Sequence, residues 1–93
     1  MAKLIEKYNA EYVSVKKLDG SEYSNLDFRA WSVGFTGEMS LMESEDKAPG
    51  KKFIRFQYGG INEYITTSYG ELEENDDILI LRTKNSIYEF RKI

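Results

Sequence analysis

Residues 78–90 read ILILRTKNSIYEF: two apolar-rich runs flank the polar patch Thr83-Lys84-Asn85-Ser86. If Lys84-Asn85 form a two-residue loop, Leu81 lies opposite Tyr88 and Leu79 opposite Phe90. Both pairs then share one face, and Arg82, Ile80, Ile87 and Glu89 share the other. Turn position and apolar pattern therefore agree, which a helical period over the same residues does not allow. This hairpin commits the chain to an antiparallel sheet.

The rest of the chain reads in the same idiom. Glu11 to Leu18 alternates Val13 and Val15 with Ser14 and Lys16, as a strand does, and Asp19-Gly20 follows as a turn. Residues 21–43 supply one or two further strands, with Trp31, Val33 and Phe35 on one face and Met39 and Leu41 continuing the period of two. The polar segment 44–52 holds Pro49-Gly50 and reads as a loop. In residues 52–68, Ile54, Phe56 and Tyr58 face one way, Gly59-Gly60 turn, and Tyr64 to Thr67 return. Residues 70–77 (GELEENDD) read as an acidic loop or helical turn. At the N-terminus, Leu4, Ile5 and Tyr8 fall at i, i+1 and i+4, which fits one or two helical turns over residues 2–10, with a leading β-strand as the alternative. About six strands, no long helical pattern and no βαβ alternation predict a mainly β fold. The expected architecture is a single domain, residues 1–93, with a small antiparallel sheet rolled as a barrel or sandwich.

Composition bounds the chemistry. The chain has 93 residues and no cysteine, so no disulfide or thiolate metal site can stabilise it. Histidine is also absent, which removes the commonest general base and the usual nitrogen ligand of zinc. No GxGxxG, P-loop or GxSxG stands in the sequence. The expectation is a protein that is not an enzyme and carries no metal or cofactor. Sixteen acidic residues against 13 basic ones leave a net charge of −3, which argues against a broad phosphate-binding surface. The segment MAKLIEKYNAEY has no apolar h-region, and no apolar run of membrane-spanning length occurs. A cytoplasmic protein with no membrane partner is expected.

Three constellations offer contacts. Glu71, Glu73, Glu74, Asp76 and Asp77 form an acidic cluster without the ligand spacing of an EF-hand, and a solvated turn explains it. Lys47, Lys51, Lys52 and Arg55 interleave with Phe53, Phe56 and Tyr58, the one basic-aromatic stretch. Cations on phosphate and rings under bases serve nucleic-acid binding, while ordinary hairpin packing uses the same residues. Finally, seven tyrosines and one tryptophan are more amphipathic rings than such a core needs, and interfaces favour them. The candidate binding residues are Trp31, Lys51, Lys52, Arg55, Tyr58, Tyr64, Tyr69 and Arg82.

The stretch from Thr67 to Ile93, through Thr83, Asn85, Ser86, Tyr88 and Phe90, resembles the C-terminal ends of small accessory proteins from bacteriophages and mobile elements of Gram-positive bacteria. Those proteins often finish with a strand, then T-x-N-S-x-Y. The resemblance implies a stoichiometric inhibitor of a host defence component, anti-CRISPR or other, with a host protein as partner. Sequestration of a nucleotide second messenger, or nucleic-acid binding by a small barrel, are the alternatives. Open strand edges would offer a route to a homodimer or higher homo-oligomer.

Overall fold

The computed structural model describes residues 2–45, 50–60 and 62–93. Seven strands and one helical turn follow in the order β1 (Ala2–Lys17), α1 (Phe28–Trp31), β2 (Thr36–Ser44), β3 (Lys52–Gln57), β4 (Tyr64–Thr66), β5 (Gly70–Asn75), β6 (Ile78–Thr83) and β7 (Ser86–Lys92). Every strand pairing is antiparallel. Neighbours run β2-β1-β7-β6-β5-β3, and β2 pairs with β3, so six strands close a barrel while β4 extends it beside β3. The mainly β expectation holds, and the choice between barrel and sandwich resolves to a barrel.

Closure depends on strands that change partner along their length. β1 pairs with β2 through Ala2–Glu11 and with β7 through Ala10–Lys17. Its register slips between Tyr12 and Ser14. That bulge is why the inward series runs Ala10, Tyr12, Val15 rather than keeping a strict step of two. A bulge bends and twists its strand, as a strand that turns a barrel corner must do. On the other side, Gly70 pairs with both Lys52 of β3 and Thr83 of β6. A Cβ on Gly70 would stand 2.0 Å from the Arg82 carbonyl oxygen and 2.9 Å from the Thr83 Cα. Backbone cannot give way there as a side-chain tip can. Gly70→Ala is expected to cost about 3 kcal/mol, the upper part of the overpacking range. Gly60→Ala meets only the Glu63 carboxylate tip at 3.4 Å and should cost under about 1 kcal/mol. Denaturant melts of the two variants check this contrast.

The core is one cluster in which inward residues of six strands meet, Tyr12, Val15, Met39, Leu41, Ile54, Phe56, Ile65, Leu79, Leu81, Tyr88 and Phe90, with Ala10, while Leu72 of β5 packs against it. The closing hairpin forms as its pattern requires, with Leu79 opposite Phe90 and Leu81 opposite Tyr88 across a two-residue loop. Gly20 takes φ +88° after Asp19, as the turn reading asks. Ile54 and Phe56 share the interior, joined there by Ile65, and Tyr58, expected on the same face, is partly buried and packs against the cluster.

Three expectations are corrected. Residues 2–10 are strand, the alternative, rather than the helical turns. The helical spacing of Leu4, Ile5 and Tyr8 arises because a second register slip between Leu4 and Glu6 interrupts the strand period. Residues 70–75 form β5 rather than a loop. Only Gly70 and Leu72 there turn toward the core, so pairing with β6 overrides a glutamate-rich segment's weak strand propensity. The turn is confined to Asp76-Asp77, where Asp76 adopts φ 53°. Third, Trp31, Val33 and Phe35 do not share a strand face, because residues 28–31 are α1. The Pro49 part of the predicted loop, and Lys47, lie outside the described residues.

Burial raises the phenol pKa of Tyr8, Tyr12 and Tyr88, desolvation being the main cause at each. A folded-state pKa above the unfolded value of roughly 10 leaves stability intact below that pH and removes it as pH rises further. With no histidine or cysteine to titrate, the thermal midpoint should stay level from about pH 6 to pH 9 and fall above about pH 10. A pH series of thermal melts tests both halves.

Candidate binding face

Between β1 and β2 the chain makes an excursion, residues 18–35, that lies along the second half of β1. Tyr12 fixes it in three ways. Its backbone N–H donates to the Phe35 carbonyl at 3.0 Å, and its carbonyl accepts from the Gly34 N–H at 2.8 Å. Its hydroxyl, carried by a ring wholly inside the core, donates to the Arg29 carbonyl at 2.7 Å. Tyr23 adds a further tie, its hydroxyl bonded to Ser86 and to the Asn85 carbonyl. A single core residue thus clamps the segment's backbone to the barrel.

Within this segment the local sequence sorts its own faces. Asp27 caps α1 by accepting from the Arg29 N–H at 2.8 Å, and the Trp31 N–H reaches the Asp27 carbonyl at 3.1 Å. In the turn that follows, residues three apart lie on one side. Ala30 and Val33 pack against the core, and Ser32 is buried. Phe28 and Trp31, also three apart, are turned outward, 59% and 64% exposed. Phe35 is 42% exposed, and its ring lies 6.4 Å from that of Trp31 and 5.4 Å, edge-on, from that of Tyr58. Leu26, 95% exposed, precedes them. The result is an aromatic face presented to solvent on a backbone that Tyr12 holds still. Its charged rim is quiet: the Arg29 guanidinium binds both Asp27 carboxylate oxygens, at 3.1 and 3.0 Å, and lies over the Phe28 and Tyr23 rings.

Of the predicted site residues, this face gathers Trp31 and Tyr58. The others stand elsewhere. Arg55 stacks on Tyr64, its guanidinium 4.2 Å from the ring centre. Tyr69 meets Phe53 edge-on at 5.2 Å. Lys51 is paired with Glu71, and Lys52 with Glu43 at 3.0 Å. The proximity of Lys51 holds the Glu71 carboxyl below its ordinary pKa. Two cations of the basic stretch, Lys51 and Lys52, are therefore matched by carboxylates where they stand. Arg82 sits on β6 opposite Glu71 and Ile87, in the half of the barrel formed by β5, β6 and β7. Among the described residues no group of three or more acidic side chains is arranged to hold a metal ion, and no helix is long and apolar enough to cross a membrane.

Sequence reasoning missed Leu26, Phe28 and Phe35 as surface residues. The available signal was Asp27 as an N-cap followed by outward and inward residues at a spacing of three, which outweighs the alternation of Trp31, Val33 and Phe35. No family model, no curated protein and no solved structure matches the chain.

Proposed function

We propose that this chain is a non-enzymatic binding protein whose contact surface is the aromatic face around Trp31, and that it acts by occluding a protein partner. The observation that carries the reading is the cluster of exposed rings, Phe28, Trp31 and Phe35, anchored through Tyr12 and abutting Tyr58. Monomeric proteins rarely leave such rings together in water unless the patch is used. Tryptophan and tyrosine dominate the energetic centres of protein interfaces, because a rigid ring buries large area at little entropic cost. A backbone already fixed by hydrogen bonds binds without ordering itself first.

Other surfaces support a partner of a different kind less well. Lys51 and Lys52 are matched by carboxylates, which weakens a path for a phosphate backbone. The free edge of β1 carries a register slip at Ile5 and the charges of Lys3, Glu6 and Lys7, devices that oppose strand addition. The resemblance of residues 67–93 to phage and mobile-element proteins supplies the partner class: a component of a bacterial defence system.

The test uses the whole chain and its Trp31→Ala variant in a Gram-positive host that restricts a phage through such a system. The wild-type chain is expected to restore plating and to retain one host protein stoichiometrically from lysate, and the variant to lose both. Unchanged plating with the wild type, or a variant as active as the wild type, overturns the proposal.

A further inference from the structure

A groove of about 400 Å³ crosses the outer face of β1, β2 and β3, away from the aromatic face. Ladder register builds it. Leu4 lies opposite Met42, and Met42 opposite Phe53, so three apolar side chains align across three strands. All three are at least partly accessible, and Leu4 is 50% exposed. Two strand spacings make that row about 10 Å long. The next row sets Lys7 and Arg55 on either side of Ser40. An apolar floor is thus bounded on one side by two cations.

The two cations differ. The Lys7 ammonium lies 3.6 Å from Glu38. Arg55 lies over the Tyr64 ring and, among the described residues, has neither a carboxylate partner nor a hydrogen-bond acceptor for its N–H groups. The ring contact holds the guanidinium over Tyr64 while its N–H groups stay unpaired among the described residues, and a guanidinium can receive a carboxylate through two parallel bonds. The second cavity, about 410 Å³, lies between the β1 bulge and the residue 22–33 segment and is lined by Lys16, Glu22 and Asn25 among others. Val13, Val15, Ala30 and Val33 give it an apolar wall too, but its cation, Lys16, shares the cavity with the carboxylate of Glu22, its cross-strand neighbour.

We infer that the groove is a binding site for a small organic carboxylate with an apolar body. The hydrocarbon lies along Leu4, Met42 and Phe53, and the carboxylate sits on Arg55 with Lys7 beside it. The volume falls within the range of ligand sites, and an apolar lining with few converging polar groups is their usual make-up. A nucleotide fits poorly. The floor offers a base no matching donors or acceptors, and the ring face nearest the cation, Tyr64, is already covered by Arg55.

The probes are decanoate, the neutral decanol and a cyclic dinucleotide, each titrated into the ¹⁵N-labelled chain and followed by amide shifts. Decanoate is expected to shift amides around Leu4, Met42 and Phe53 saturably, and decanol to bind at least tenfold more weakly. Arg55→Gln should weaken decanoate at least tenfold at an unchanged thermal midpoint, whereas Lys51→Gln should leave its affinity unaltered. Unsaturable shifts spread over Leu26 and Trp31 as well would mean unspecific association and overturn the site. So would equal affinity for decanol, an Arg55→Gln variant that binds as wild type, or binding of the dinucleotide in its place. Because Trp31 takes no part, failure here leaves the aromatic face standing, and the reverse holds.

Discussion

Tyr12→Ala is expected to remove most of the protein's stability. The ring is 0% exposed and sits at the centre of the aromatic core. It stacks on Phe90 at 4.8 Å between centroids and 14° between planes, and it meets Phe56 edge-on at 5.7 Å. Truncating a buried aromatic residue costs roughly 3–5 kcal/mol in transfer and cavity terms. Each lost ring pair adds about 1 kcal/mol, and the orphaned Arg29 carbonyl adds a further increment. Domains of this size hold only about 5–15 kcal/mol in all. The variant should therefore melt at least 20 °C lower, at roughly 4–8 °C per kcal/mol, or fail to fold. A loss below about 1.5 kcal/mol would contradict the packing described.

Tyr12→Phe separates the two roles of this residue. It keeps the ring and removes only the hydroxyl that holds the Arg29 carbonyl. The global loss should then be about 1–2 kcal/mol, while amide exchange in residues 28–35 rises more than in the barrel strands. That hydroxyl is one of several ties between core and binding face, so its loss should loosen the surface segment before it unfolds the barrel.

How much of this was legible beforehand follows from where local and tertiary signals agree. The closing hairpin was readable because Thr83 to Ser86 fixes the turn and the same register aligns Leu79 with Phe90 and Leu81 with Tyr88. In β5 the signals conflict: Glu71, Glu73 and Glu74 speak for a loop, and only pairing with β6 makes the segment a strand. The first half of β1 is exposed along Ala2–Lys7, so no buried alternation marks it, and the slip at Ile5 gives a false helical spacing. The site was legible by residue type and not by placement. An excess of tyrosine and tryptophan signalled surface rings, yet nothing local showed that Trp31 joins Phe35 and Tyr58 while Arg55 joins Tyr64. Cross-strand neighbours are set by barrel closure, and closure depends on the partner changes at Gly70 and along β1.

The largest functional effect should fall on Trp31→Ala. Its ring is 64% exposed, so the fold should lose little, within about 0.5 kcal/mol of a typical surface substitution. A tryptophan at the centre of an interface contributes about 2–4 kcal/mol on truncation, and 1.4 kcal/mol is a tenfold change in affinity. A loss near 100-fold is therefore predicted, with Phe35→Ala smaller because that ring is more enclosed by its neighbours. Arg82→Ala, in the β5–β7 half of the barrel, serves as the matched control.

The decisive measurement is the dissociation constant of the captured host protein, by calorimetry, for the wild type, Trp31→Ala and Arg82→Ala at matched thermal midpoints. The aromatic-face account predicts about 100-fold weaker binding for Trp31→Ala and less than threefold change for Arg82→Ala. A folded Trp31→Ala variant that binds within threefold of the wild type would contradict it.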